Sequence, residues 1–291
     1  MSQRLLALAR TLYEYIALYL GLAVFGLLCL IWSSIAIVLR WLLPNAWAGP
    51  VGRWGVTINF RLYVWALART RICRFDLRAL DALRAEPALI IASNHPGLID
   101  AVLVISRLPV TCIMKAALER SVLLGAGAQL AGYVSNGSVR RMIDRSVAAL
   151  RRGTHLLVFP EGTRTTRFPV NTFAGSVGII ARHAKVPVQT VFIDTDSPYL
   201  SKSWPPLRKP ALPITYRLRL GRRFDPPESS RQLVLELEQY FVAELAQGSM
   251  MQSWLPVATT AEPPPPRPYA GIRPDDDGQP VPHPSHSHSQ L

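Results

Sequence analysis

The sequence predicts an α/β fold: a central mixed sheet flanked by helices, preceded by an N-terminal membrane-anchoring helix or two-helix hairpin and followed by a disordered C-terminal tail. Three observations carry that expectation. Between about residues 87 and 221, short apolar runs alternate with stretches of helical periodicity, the pattern of a sheet covered by helices. Residues 15–39 contain no charged side chain. From Pro256 onward the composition turns to Pro, Ser, His and Asp, with too little apolar area to fold.

The apolar run comes first in the chain. Its 25 residues make a helix of about 37 Å against a hydrocarbon core of about 30 Å, long enough to cross with tilt. A buried core helix and a cleaved signal peptide are the alternatives. The second fails because the run continues well past the usual h-region of about 7–15 residues. Ser33 and Ser34 interrupt the run, Pro44 ends it, and residues 54–68 form a second, aromatic-rich segment with Arg61 as its sole charge. Two such helices can also lie in one leaflet as a hairpin. Arginines thicken after the run, which by the positive-inside bias places the long C-terminal part in the cytoplasm, at a bacterial inner membrane. Residues 1–45 are thus expected as anchor, 46–255 as the α/β domain with its motif core at 88–193, and 256–291 as tail.

Within the domain, strands are expected at 88–93, 110–114, 133–135, 155–159, 187–193 and 214–220. Helices are expected at 99–106, 116–130, 139–151, 172–184 and, as a last amphipathic element, 230–246. Residues 195–213, with Trp204 and five prolines, read as a long irregular excursion of lid-like character. No internal repeat is visible. His283, His286 and His288 in the tail offer at most a loose metal site, and a solvated low-complexity end is the plainer reading.

The chain carries a formal charge of +13 alongside 49% hydrophobic residues and a mean hydropathy of +0.18, so its apolar residues must be clustered. A length of 291 residues allows one or two domains and excludes neither. Fully disordered, collagen-like and disulfide-scaffold classes are excluded. Cys29, Cys73 and Cys112 are too far apart for a zinc motif or a disulfide framework. The charge fits nucleic acid or anionic lipid. The domain has no recognisable nucleic-acid motif, which leaves the membrane surface, and the positive excess falls within residues 46–255.

Three histidines lie in the expected domain. His155 opens a strand and His183 sits near basic residues on a helix; both have plain structural readings. His95 stands in Asn94-His95-Pro96-Gly97-Leu98-Ile99-Asp100, after an apolar strand, with Asn94 an expected N-cap. Residues five apart on a regular helix diverge by about 140°, so His95 and Asp100 meet only if Pro96-Gly97 turns the chain first. A carboxylate on one imidazole nitrogen leaves the other free as a base for a hydroxyl. A second cluster, Phe159-Pro160-Glu161-Gly162-Thr163-Arg164, presents a carboxylate, a hydroxyl, free N–H groups at Gly162 and a guanidinium at a strand end, a set suited to an anionic or polyhydroxyl ligand.

Together, Asn-His-x4-Asp and, some sixty residues on, Phe-Pro-Glu-Gly-Thr-Arg resemble the glycerolipid acyltransferase family that includes the 1-acylglycerol-3-phosphate acyltransferases. A six-residue match of that kind arises by chance roughly once in 100,000 chains of this length or less. Lys115, Gly175 and Val186-Pro187-Val188 extend the resemblance across residues 88–193. It implies acyl transfer from acyl-CoA or acyl carrier protein to a hydroxyl of a (lyso)phospholipid, with His95 and Asp100 as base and support. Glu161, Gly162, Thr163 and Arg164 would bind the acceptor, Lys115 an anionic group, and no metal would be needed. One departure matters. The family's second motif carries an arginine associated with the acceptor phosphate, whereas residues 132–138 here read Gly-Tyr-Val-Ser-Asn-Gly-Ser, with Arg140 and Arg141 the nearest. Either those reach back or the acceptor lacks the phosphate, as an amino-acid-containing lipid would. A hydrolase is the nearest rival chemistry, but no G-x-S-x-G elbow occurs, and Ser176 lies in a segment expected to pack a helix closely on the sheet.

Overall fold

The computed structural model describes residues 2–257 apart from 206 and 207; the expected tail and its histidines lie outside the described residues. Seven strands form one sheet: β1 (Cys73–Asp76), β2 (Ile90–Ser93), β3 (Thr111–Met114), β4 (Val134–Ser135), β5 (Leu156–Val158), β6 (Val188–Thr195) and β7 (Ile214–Phe224). Their order is β1-β7-β6-β2-β5-β3-β4, and every pair is parallel except β6 with β7. The central strands β2 and β5 are buried at every position. Their runs Ile-Ile-Ala-Ser and Leu-Leu-Val have no polar alternation because helices cover both faces.

The helices are α1 (Ser2–Leu42), α2 (Asn45–Arg69), α3 (Asp100–Ile105), α4 (Ala116–Glu119), α5 (Gly125–Leu130), α6 (Val139–Arg151), α7 (Ser176–Ala184) and α8 (Ser230–Ala246). From β2 to β3 to β4 the chain steps one way along the sheet, and from β4 to β5 to β6 it steps back. Right-handed crossovers therefore place α3 and α5 on one face and α6 and α7 on the other. Contacts agree: α1 packs with α5, and α2 with both α3 and α5, whereas α8 packs with α7. The reversal occurs around β2 and β5, so their carboxyl ends open a crevice of the kind in which α/β proteins bind ligands.

The expected sheet flanked by helices is present, with differences of local origin. The helix expected at 116–130 is broken into α4 and α5, because residues 120–124 turn outward and Ser33 Oγ of α1 donates to the Leu123 carbonyl there (2.7 Å). The helix expected from 172 begins only at Ser176, after Gly175, because Ala174 N is tied back to the Pro160 carbonyl. β1 was not expected, and β7 runs four residues further than expected. Gly178 meets α8 rather than the sheet: a Cβ there would stand 2.2 Å from the Ser230 carbonyl oxygen.

At 41 residues α1 is about 61 Å long, twice a hydrocarbon core. It is the one helix among the described residues long and apolar enough to cross a membrane. A stripe comprising Ala17, Leu18, Cys29, Ser33 and Ala36 is buried, while Leu20, Leu27, Ile31, Ile35 and Trp41 remain exposed. Its inner side thus packs along the domain, and the outer side is apolar without a protein cover.

Candidate active site

β2 ends at Ser93, and Asn94 spans to β6: its side-chain nitrogen donates to the Ile193 carbonyl and its oxygen accepts from Ile193 N, each 2.8 Å. Asn94 is therefore a strand-to-strand bridge and not the expected helix cap. α3 starts six residues later, at Asp100. Between them Pro96-Gly97 turns the chain, and His95 Nδ1 lies 2.7 Å from Asp100 Oδ2. Gly97 N also donates to Asp100 Oδ2 (2.8 Å).

Asp100 is fully buried, whereas the His95 side chain keeps 16% exposure. Burial raises the Asp100 carboxyl above its usual range, against the opposing pull of His95 and the Gly97 N–H. The imidazole stacks on Phe159, with ring centroids 4.0 Å apart. With Nδ1 engaged and the ring fixed by stacking, Nε2 is the nitrogen left to meet a ligand.

The second motif follows β5, the neighbour of β2. Glu161 is buried, and its oxygens are already used: Oε1 accepts from His95 N (3.0 Å) and Thr165 Oγ1 (2.6 Å), and Oε2 from Asn171 N (2.9 Å). Thr165 N donates to the His95 carbonyl (2.7 Å), so the two motif turns are stitched together. Burial pushes the Glu161 carboxyl up to about 7 despite these donors. Gly162 N, expected free, donates to the Phe159 carbonyl (2.9 Å); the turn needs φ +64° there, which glycine adopts without strain. Thr163 is half-buried beside it.

Arg164 extends to the expected excursion. Its Nη1 donates to the carbonyls of Leu200 (2.9 Å) and Ser201 (2.8 Å), and Leu98 N donates to Leu200 O (3.0 Å). The excursion is thereby held beside the His95 turn, and Lys209 within it pairs with Glu14 of α1. An apolar pocket lined by Leu18, Leu22, Ile99, Tyr199, Leu200 and Leu212 lies beneath this junction.

Lys115, exposed at the end of β3, is two strands from His95 in the order β2-β5-β3, about 10 Å away along the sheet edge. Residues 132–138 offer no cation: Asn136 Oδ1 accepts from Ala116 N (3.0 Å), and Arg140 and Arg141 are exposed in the first turn of α6. His155 and His183 keep their structural readings. His155 Nδ1 accepts from Leu89 N (3.3 Å), with burial lowering its pKa, and His183 is exposed with its carbonyl on Arg151. Sequence reasoning missed Thr165 and Asn171, whose part is visible only once Glu161 is placed.

The mostly parallel sheet thus carries the Asn-His-x4-Asp turn and the Phe-Pro-Glu-Gly-Thr-Arg turn side by side at its central carboxyl edge. Residues 74–194 match the family described as Acyltransferase. Among curated proteins, the lyso-ornithine lipid O-acyltransferase of Pseudomonas aeruginosa is 34% identical over 181 residues, covering 60% of this chain and 65% of that protein. This chain's match thus spans slightly under two thirds of that relative. Among solved structures, the 1-acyl-sn-glycerophosphate acyltransferase PlsC from Thermotoga maritima shares the fold, with a TM-score of 0.59 at 19% identity, over 82% of this chain and 98% of that one.

Proposed function

We propose that the chain is a membrane-bound O-acyltransferase that moves a fatty acyl group from acyl-CoA or acyl carrier protein to a hydroxyl of a lysolipid. The observation that carries this is the 2.7 Å contact between His95 and the fully buried Asp100, with the second imidazole nitrogen left for a ligand. His95 Nε2 takes the acceptor's hydroxyl proton as its oxygen attacks the thioester carbonyl. Asp100 fixes the Nδ1–H tautomer and stabilises the imidazolium in a site where water screens little. When the tetrahedral adduct collapses, the carbon–sulfur bond breaks and the proton on His95 is available to the departing thiolate. The ester and free thiol balance the reaction, and no metal enters it.

Glu161 acts in this scheme by holding the His95 backbone, Arg164 by holding the excursion and by offering its remaining nitrogens to the acceptor, and Gly162 and Thr163 by shaping the turn that receives it. Lys115 meets an anionic group of either substrate.

For the acceptor, the absence of an arginine in residues 132–138 supports an amino-acid-containing lysolipid over a glycerol phosphate. The relative's name, a lyso-ornithine lipid acyltransferase, points the same way. The uncovered apolar side of α1 and the arginine surplus after it support seating on the cytoplasmic side of a bacterial inner membrane. The test is a competition assay with one acyl thioester, lyso-ornithine lipid and lysophosphatidic acid. A kcat/KM at least tenfold higher for lyso-ornithine lipid is expected; a preference for lysophosphatidic acid would return the acceptor to the phosphate class.

A further inference from the structure

The α4–α5 connection is unlike the rest of the domain surface. Val122 is 80% exposed, and Leu118 and Leu123 are each 38% exposed. Arg120 lies between them in sequence, Lys115 precedes them, and all three apolar side chains stand at the carboxyl edge of β3, the same edge of the sheet as His95. Asn136 Oδ1 on Ala116 N brings the start of α6, with exposed Arg140 and Arg141, against the same corner. Lys115, Arg120, Arg140 and Arg141 there outnumber the carboxylates Glu119 and, one turn along α6, Asp144. A soluble surface gains nothing from a nearly bare valine set among arginines, but the boundary between headgroups and acyl chains rewards that mixture.

The patch is also continuous with α1. The Ser33–Leu123 bond and a second one from Arg40 Nη1 to Gln129 Oε1 (2.5 Å) fix the connection to the helix whose outer side exposes Ile31 and Ile35. Along the edge in the other direction, Leu98, 58% exposed, carries the apolar rim to the His95 turn.

We propose that residues 116–123 form a second membrane contact, separate from the helical anchor, in which Val122 and its neighbours enter an anionic leaflet while Arg120, Arg140 and Arg141 meet its phosphates. The catalytic mouth is then seated on the leaflet, and a lysolipid reaches His95 by lateral movement without leaving for water. This rests on the membrane seating proposed above and is independent of which lipid is acylated.

The test uses the full chain reconstituted in vesicles, with single labelling sites Val122→Cys, Ile31→Cys on α1 and Glu236→Cys on α8, each carrying an environment-sensitive fluorophore. The native cysteines are buried and leave the new thiols as the reactive ones. With vesicles containing phosphatidylglycerol and a spin-labelled lipid, the probes at 122 and 31 are expected to shift blue and be quenched, and the probe at 236 to stay aqueous. Quenching at 122 should fall at least twofold in purely zwitterionic vesicles. A probe at 122 that stays aqueous while the one at 31 is quenched overturns the second contact and leaves the anchor standing; aqueous probes at both sites overturn the membrane reading itself. A shift at 122 that needs acyl carrier protein and not lipid would assign the patch to the donor and also overturn the proposal.

Discussion

The two motif turns sit on neighbouring strands, each carries a carboxylate, and each carboxylate is buried, yet they are spent differently. Asp100 directs one oxygen at an imidazole that still has a nitrogen to offer, whereas Glu161 uses both oxygens on three donors within the protein. The difference lies in the partners: the imidazole on Asp100 keeps a ring nitrogen for a ligand, whereas the donors on Glu161 are backbone and hydroxyl groups with no nitrogen to offer one. In the proposed reaction the first turn therefore reacts and the second holds the first in place.

The largest expected effect lies on the reacting side. His95→Ala should lower kcat for acyl transfer by about a thousandfold or more, with an unchanged circular dichroism spectrum. Asp100→Asn, which keeps the shape but loses the charge that supports the imidazolium, should cost about a hundredfold in kcat with little change in KM. If either variant retained near-native turnover, the first turn would not be the reacting one.

On the holding side, Glu161→Ala leaves the His95 and Asn171 N–H groups without their acceptor and should cost about 2–4 kcal/mol of stability in denaturant unfolding. Because the folded carboxyl sits at about 7, above its usual 4.5, the folded protein binds the proton more tightly than the unfolded chain. That contribution is present below about pH 4.5 and is lost as pH rises through 7. The melting temperature of the wild type should accordingly fall relative to Glu161→Gln between those values; a parallel pH course in both proteins would place the titration elsewhere. Arg164→Ala should raise KM about tenfold and speed proteolysis within residues 196–213 by releasing the Leu200 and Ser201 carbonyls. Lys115→Ala, at an exposed site, is expected to change KM only about two- to threefold.

How far this arrangement was legible in the sequence depends on the range of the interactions involved. α6 and α8 begin and end where their apolar periodicity does, since each buries one stripe against the sheet or its neighbour. The His95–Asp100 turn was legible because Pro96-Gly97 encodes it locally. β1 was not: its four residues Cys-Arg-Phe-Asp carry no decisive period, and it is a strand only because β7, some 140 residues later, pairs with it. The break between α4 and α5 depends on a hydroxyl 90 residues away. Likewise Glu161 reads as a ligand-binding group until the chain folds and its donors arrive from residues 95, 165 and 171, a matter of tertiary placement that no motif spells out.

In the proposed function the His95–Asp100 turn transfers an acyl group to a lysolipid hydroxyl. Its most direct test is product identification by mass after incubating the purified full chain, and its His95→Ala variant, with a labelled acyl thioester and a panel of lysolipids. A lysolipid heavier by one acyl group is expected with the wild type and none above background with the variant. An equal yield from both proteins, or no acylated lipid from the wild type across the panel, would contradict it.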